Sequence, residues 1–168
     1  MKVILETERL LLRELNLKDS QFIIALLNSP GWLQFIGDRN VRTETQSIAY
    51  LENGSLKSYK ENGFGLYLVE RKSDHLAMGL CGILKRDFLE DPDIGFAFLP
   101  EFNGLGYAYE SACATMKYAT DTLKIPRLCA ITIPENVLSI RLLEKIGLKL
   151  SGNIQYPETN EELLLFST

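Results

Sequence analysis

Histidine and cysteine are scarce in this chain of 168 residues: there is one histidine and there are three cysteines. Cys81, Cys113 and Cys129 show no CxxC or Cys/His spacing, which leaves neither a zinc site nor a disulfide framework, and no metal is expected. They read as reduced thiols of a cytoplasmic protein. His75 lies in the polar run Arg71-Lys72-Ser73-Asp74-His75, a hairpin turn rather than a ligand position. No apolar stretch approaches the ~20 residues of a membrane span. Lys2, Glu6, Glu8 and Arg9 interrupt the first dozen residues, so no signal peptide is expected. A basic excess is also absent: 18 Lys and Arg against 22 Asp and Glu give a net charge of −4 and a pI of about 5.1. That sign disfavours nucleic acid and suits a cationic amine.

Hydrophobic residues make up 46% of the chain and charged ones 24%, a composition that can bury a core. No repeat, linker or low-complexity segment divides it, so residues 1–168 are expected to form one domain, as a monomer or homodimer. Leu10, Leu11, Leu12 and Leu15 predict an opening strand. Asp19 offers an N-cap to a helix carrying Phe22, Ile23, Leu26 and Leu27, stopped by Pro30. Thr43 and Gln46 form a capping-box pattern for a second helix, with Gly54 as its terminator. Strands are expected over 64–70, 76–85 and 93–99, joined by polar turns. A helix over 107–122 follows, with Ala108, Ala112, Thr115 and Ala119 as a small-residue face. Then come a strand over 127–133, a helix over 137–146 ended by Gly147, and strand character from Leu148 onward. The order β-α-α-β-β-β-α-β-α-β-β describes a mixed α/β sheet with helices on both faces, which excludes a simple doubly wound fold.

Chemistry concentrates in the run from Asp93 to Ala108, a strand, a short loop, a glycine-rich turn and a helix. Exposed backbone N–H groups at a helix start make an anion site that needs no basic side chain. Gly104 and Gly106 permit close approach. A phosphate or pyrophosphate is the expected ligand. A P-loop would continue with Lys-Ser or Lys-Thr, and this turn continues Tyr107-Ala108. A dinucleotide fingerprint would want Gly or Ala where Tyr109 stands.

The same run resembles the cofactor motif of the GNAT acetyltransferase superfamily, Gln/Arg-x-x-Gly-x-Gly/Ala, with Asn103, Gly106 and Ala108 at its defining positions. Ile94-Gly95-Phe96 followed by Leu99-Pro100-Glu101-Phe102 resembles the family's fourth strand and its exit. Pro134 to Arg141, running on to Gly147, resembles its following strand–helix signature. Thr7-Glu8-Arg9-Leu10-Leu11-Leu12-Arg13 is similar to the first strand of the RimJ/RimL-type branch. The resemblance implies a GNAT fold with a six- to seven-stranded, mostly antiparallel sheet and about four helices. It also implies acetyl-CoA as co-substrate, held by Phe98, Leu99, Asn103, Gly104, Leu105, Gly106, Tyr107, Ala108, Asn136, Ser139 and Arg141. Asn103 departs from the usual Arg or Gln. Leu143 stands where many members place a tyrosine that protonates the leaving thiolate. The resemblance implies that Asn136 and Ser139 contact CoA or hydrogen-bond the leaving group instead, and capping of the helix that follows is their alternative role.

Direct transfer to a primary amine, small or a protein N-terminus, needs a proton acceptor. Asp93, which strand alternation puts on one face with Gly95 and Ala97, is the first candidate; a turn residue closing Glu90-Asp91-Pro92-Asp93 is the alternative. Acceptor contacts are expected from Trp32, Phe35 and Asp38 in the weakly patterned segment between the first two helices. Arg86, in Lys85-Arg86-Asp87, reads as a solvated charge or a neighbour of the acceptor channel. A non-catalytic acyl-CoA sensor of the same fold stays open beside the enzyme.

Overall fold

The computed structural model describes residues 1–168 and forms one eight-stranded sheet. Its strands are β1 (Val3–Glu6), β2 (Leu10–Glu14), β3 (Leu66–Arg71), β4 (Leu76–Leu84), β5 (Asp93–Phe98), β6 (Cys129–Thr132), β7 (Lys149–Gln155) and β8 (Glu162–Ser167), in the order β1-β2-β3-β4-β5-β6-β8-β7. Every pair is antiparallel except β5 with β6. The mixed, mostly antiparallel sheet is as expected. The strand missing from the sequence reading is β1, whose short run Val3-Ile4-Leu5 is flanked by charges and lies on the sheet edge.

Six helices cover the faces: α1 (Ser20–Leu27), α2 (Pro30–Phe35), α3 (Glu44–Leu51), α4 (Lys57–Asn62), α5 (Tyr107–Asp121) and α6 (Val137–Lys145). Alternation along the strands sorts their side chains. Leu10, Leu12, Tyr67, Val69, Met78 and Ile94 meet α5 and α6, with Ala112 and Leu143 among their neighbours. Leu68 and Leu80 meet α1 to α3, against Ile23, Leu26, Leu27 and Leu51. Buried Ala112, Thr115 and Ala119 let α5 lie close on the sheet.

Local sequence set most helix ends, with three departures. The Thr43–Gln46 capping box forms. Gly54, however, does not stop that helix. The chain continues through a π turn at Glu52–Leu56, in which Gly54 takes φ −100° and ψ −105°, into α4, and Gly63 at φ 77° ends it. Glycine's backbone freedom here allows a kink instead of an end. Asp19 makes no cap bond to α1, because its carboxylate is taken by Arg13 and by the Asn16 amide. Pro30 begins α2 at its first position, so the segment expected to be irregular is partly helical.

Candidate active site

Two left-handed glycines shape the turn before α5: Gly104 at φ +74° and Gly106 at φ +82°. Amide N–H groups from Gly104 through Tyr109 donate to no acceptor within the protein, because the first backbone bond of the helix is Glu110 N–H to Gly106 O. These open donors stand at the positive end of a 15-residue helix. Arg9, on the turn between β1 and β2, ties the turn down. Its Nη1 donates to the Leu105 carbonyl at 3.0 Å, its Nε to Glu110 at 2.7 Å, and its guanidinium lies 4.4 Å above the Tyr107 ring. A β-carbon on Gly106 would come within 3.2 Å of Arg9 Nη2, so the turn and the arginine are fitted to each other.

The sheet opens beside this turn. β5 and β6 pair only at Asp93 and Cys129, so the rest of β5 has no ladder partner on that side. Ile94, Phe96 and Phe98 of β5 pack in the cluster with α5, whereas Ala97 packs with the cluster under α1 to α3. Asp93 shares the Ala97 face by alternation, as expected. It lies at the closed end of the gap, 1% exposed, and Arg86 Nε reaches both of its carboxylate oxygens at 3.1 Å. Burial pushes its pKa up to about 6, while the charge and hydrogen bond of Arg86 hold it down. A carboxylate so placed is ionised at neutral pH yet basic enough to take a proton. Cys129 lies against it and has its thiol pushed up to about 12, by burial first and then by Asp93 and Asp91. All three cysteines are unpaired, as expected.

The remaining candidates divide. Asn103 is exposed beside the turn, and Asn136 caps α6 by accepting from the Ser139 amide at 3.2 Å. The Ser139 hydroxyl has no partner, and Arg141 is exposed. Trp32, Phe35 and Asp38 do not gather into a pocket with Asp93. Trp32 is 7% exposed in the core with Leu26, Leu27 and Val41 because α2 turns it inward, and Phe35 is half-buried at the end of that helix. Asp38 pairs with Arg42 at 2.6 Å on the surface. Tyr50, Leu84 and Lys85 instead line a cavity of about 680 Å³ next to the Arg86–Asp93 pair, and Asp87, Phe88, Tyr156 and Glu158 line a second of about 400 Å³.

A family model described as an acetyltransferase (GNAT) domain matches residues 9–149. The chain belongs to the GNAT acetyltransferase family. It is 29% identical over 157 residues to the uncharacterized N-acetyltransferase YnaD of Bacillus subtilis, covering 92% of this chain and 89% of that one. A GNAT-family acetyltransferase structure from Bacillus anthracis superposes with a TM-score of 0.79 at 27% identity, covering 99% of this chain and 97% of the other. A structure of RimL, a ribosomal L7/L12 alpha-N-protein acetyltransferase in complex with coenzyme A, superposes with a TM-score of 0.80 at 15% identity over 99% and 97% of the two chains, a likeness of fold.

GNAT enzymes use acetyl-CoA, and the residues here fit it: the free amides from Gly104 to Tyr109 match a pyrophosphate. No group of residues suited to hold a metal ion is present, and no helix is long and apolar enough to cross a membrane. Leu143 is 1% exposed in the core, so the usual tyrosine's position offers no proton. Arg9 and Glu110 are the residues sequence reading missed. Arg9 was visible only as part of the opening strand motif, and its partner lies 101 positions away.

Proposed function

We propose that this chain is a cytoplasmic N-acetyltransferase of the RimJ/RimL-type branch, a single domain over residues 1–168, that acetylates a primary amine by direct attack. Bound acetyl-CoA supplies a thioester, whose acyl carbon the neutral amine attacks. The C–S bond breaks and the proton lost by the acylated nitrogen passes to the sulfur, so that CoA leaves as a thiol. The open amides from Gly104 to Tyr109 bind the pyrophosphate, with Asn103 beside them, and the unpaired edge of β5 receives the arm that runs on from it. Asp93 accepts the proton that the ammonium must lose before attack. The Ser139 hydroxyl, free of internal partners, hydrogen-bonds the departing sulfur where Leu143 cannot. The observation that carries this reading is the pairing of β5 and β6 at Asp93 alone, which joins an open gap in the sheet to a buried carboxylate. The opening motif Thr7 to Arg13 and the fold likeness to RimL support the branch.

Incubation with acetyl-CoA and a panel of peptide N-termini, polyamines and amino sugars tests it, read by thiol release and product mass. Release of CoA with one amine class and a product heavier by one acetyl group is expected. Tight CoA binding without turnover on any amine would favour the second reading, an acyl-CoA sensor, for which the apolar Leu143 is the supporting observation.

A further inference from the structure

The cavity of about 680 Å³ beside Asp93 carries a charge opposite to that of the whole chain. Arg39, Lys57, Lys85 and one acid, Glu61, are among its lining residues, and Glu61 lies 3.8 Å from Lys57. Arg39 is half-buried and makes no ion pair or hydrogen bond, since the adjacent Asp38 is engaged by Arg42. Arg86, also half-buried, spends only Nε on Asp93 and leaves both terminal nitrogens without acceptors. In the chain it follows the lining residue Lys85. Tyr50 lines the cavity with Arg39, and its hydroxyl has no hydrogen-bond partner. Burial raises its pKa, and the positive charges of Arg39 and Arg86 pull it back, so both cations bear on this hydroxyl.

Half-buried guanidinium groups without acceptors keep unspent donors, and a planar fork of such donors matches the two oxygens of a carboxylate or the oxygens of a phosphate. We propose that this cavity is the acceptor site and that it selects an amine carrying an oxyanion, a carboxylate or a phosphate, held by Arg39, Arg86 and Tyr50. The inference rests on the acetyl-transfer reading and names its substrate class. Arg86 then serves two partners at once: its Nε edge orients the Asp93 carboxylate and its terminal edge binds the acceptor's anion. Amine and proton acceptor are thereby brought to the two sides of one guanidinium. The net charge of −4 governs long-range attraction, whereas this local cluster sets what docks.

Matched pairs of amines test the selection: L-alanine against L-alaninamide for the carboxylate, and glucosamine 6-phosphate against glucosamine for the phosphate. Thiol release from acetyl-CoA gives kcat/KM for each. The anionic member of at least one pair is expected to be preferred about 10- to 100-fold, the range of one or two charge-assisted hydrogen bonds. Arg39→Gln should abolish that preference by raising KM for the anionic amine about 10- to 100-fold more than for its neutral partner. Equal use of both members of each pair, or a preference that survives Arg39→Gln, overturns the anion site while leaving acetyl transfer intact. If CoA binds but no amine turns over, the transfer reading fails, and calorimetry on the CoA-loaded protein decides the anion site by itself. N-acetyl-L-alanine should then bind and its amide should not. Binding of neither overturns the site.

Discussion

Arg9 and Glu110, 101 positions apart in sequence, form a two-bond latch: the Arg9 backbone amide and Nε both donate to the Glu110 carboxylate, at 2.9 and 2.7 Å. Thr7 adds a third donor at 2.6 Å. A carboxylate in the first turn of α5 favours the helix but opposes a second anion at the same end. Arg9 offsets that charge and fixes the turn through Leu105, so a side chain from the first β-turn shapes the turn proposed to bind the pyrophosphate.

Arg9→Ala is accordingly expected to raise KM for acetyl-CoA about 10- to 100-fold, the size of one or two hydrogen bonds to a charged group. The rate at saturating acetyl-CoA should change little. Adding Glu110→Gln to Arg9→Ala should recover part of the affinity by removing the stranded charge. Calorimetric titration with CoA reads both effects, and an unaltered affinity in Arg9→Ala would show that the latch serves the fold alone.

What the sequence made legible follows from the range of each interaction. Alternation along β5 put Asp93 with Ala97, and the glycine spacing marked the tight turn before α5, because both are local patterns. The latch was hidden because its two halves meet only when β2 and α5 pack on the same layer of core, Leu10 and Tyr107 included. Trp32 is open to two readings in the sequence, acceptor wall or core packing, because nothing local distinguishes an aromatic facing a pocket from one facing Leu26 and Val41, and the structure has it in the core. Gly54 was read as a stop because its neighbours give no sign that α4 resumes beyond it.

Gly106→Asp should weaken acetyl-CoA binding severely, by more than any other single change in the turn. The new side chain meets Arg9 Nη2, its charge opposes the pyrophosphate, and φ +82° strains any residue with a β-carbon by about 1–2 kcal/mol. Gly106→Ala separates these terms, since it carries the strain without the charge. Its affinity should fall between those of the native protein and the aspartate variant, in titrations run on protein shown by circular dichroism to be folded.

Asn103→Ala should cost only about 0.5–1.5 kcal/mol of acetyl-CoA binding, one net hydrogen bond at most, because in the proposed site the amides carry the phosphate contacts. A loss of several hundred-fold in Kd would mean that the anchoring atoms are side-chain and not backbone.

The buried trio around Arg13 governs stability in place of catalysis. Its Nη groups reach Asp19 at 2.9 and 2.8 Å and its Nε reaches Glu70 at 2.6 Å, tying β2 to β3 and to the start of α1. These partners raise the arginine's pKa above its ordinary value, so its charge is permanent. Arg13→Ala leaves two buried carboxylates without a cation and should cost about 3–5 kcal/mol in urea unfolding. In the folded fraction, KM for acetyl-CoA should be native, which separates this residue from Arg9.

Asp93 gives the pH dependence. Its pKa of about 6 lies above the ordinary carboxylate value, so kcat/KM should fall about tenfold per pH unit below that point as the base takes up a proton. Asp93→Asn should remove this limb and lower the neutral-pH rate by roughly 10²- to 10⁴-fold, part of which returns at high pH where the amine is already free. Arg86→Gln should move the limb upward, because Arg86 is what holds the carboxyl down against burial. The effect on stability has a definite sign. A carboxyl raised in the folded state favours folding most below its ordinary value and loses that contribution as pH rises through about 6. Ionised Asp93 is therefore a cost to the fold at neutral pH, and Asp93→Asn should not lower the melting temperature there through loss of charge. A turn residue with no part in proton transfer behaves oppositely: its variant melts lower and keeps its rate. Rate–pH profiles and melting curves of the native protein, Asp93→Asn and Arg86→Gln distinguish the two, and a fully active Asp93→Asn would move the proton acceptor to bound water or Glu158.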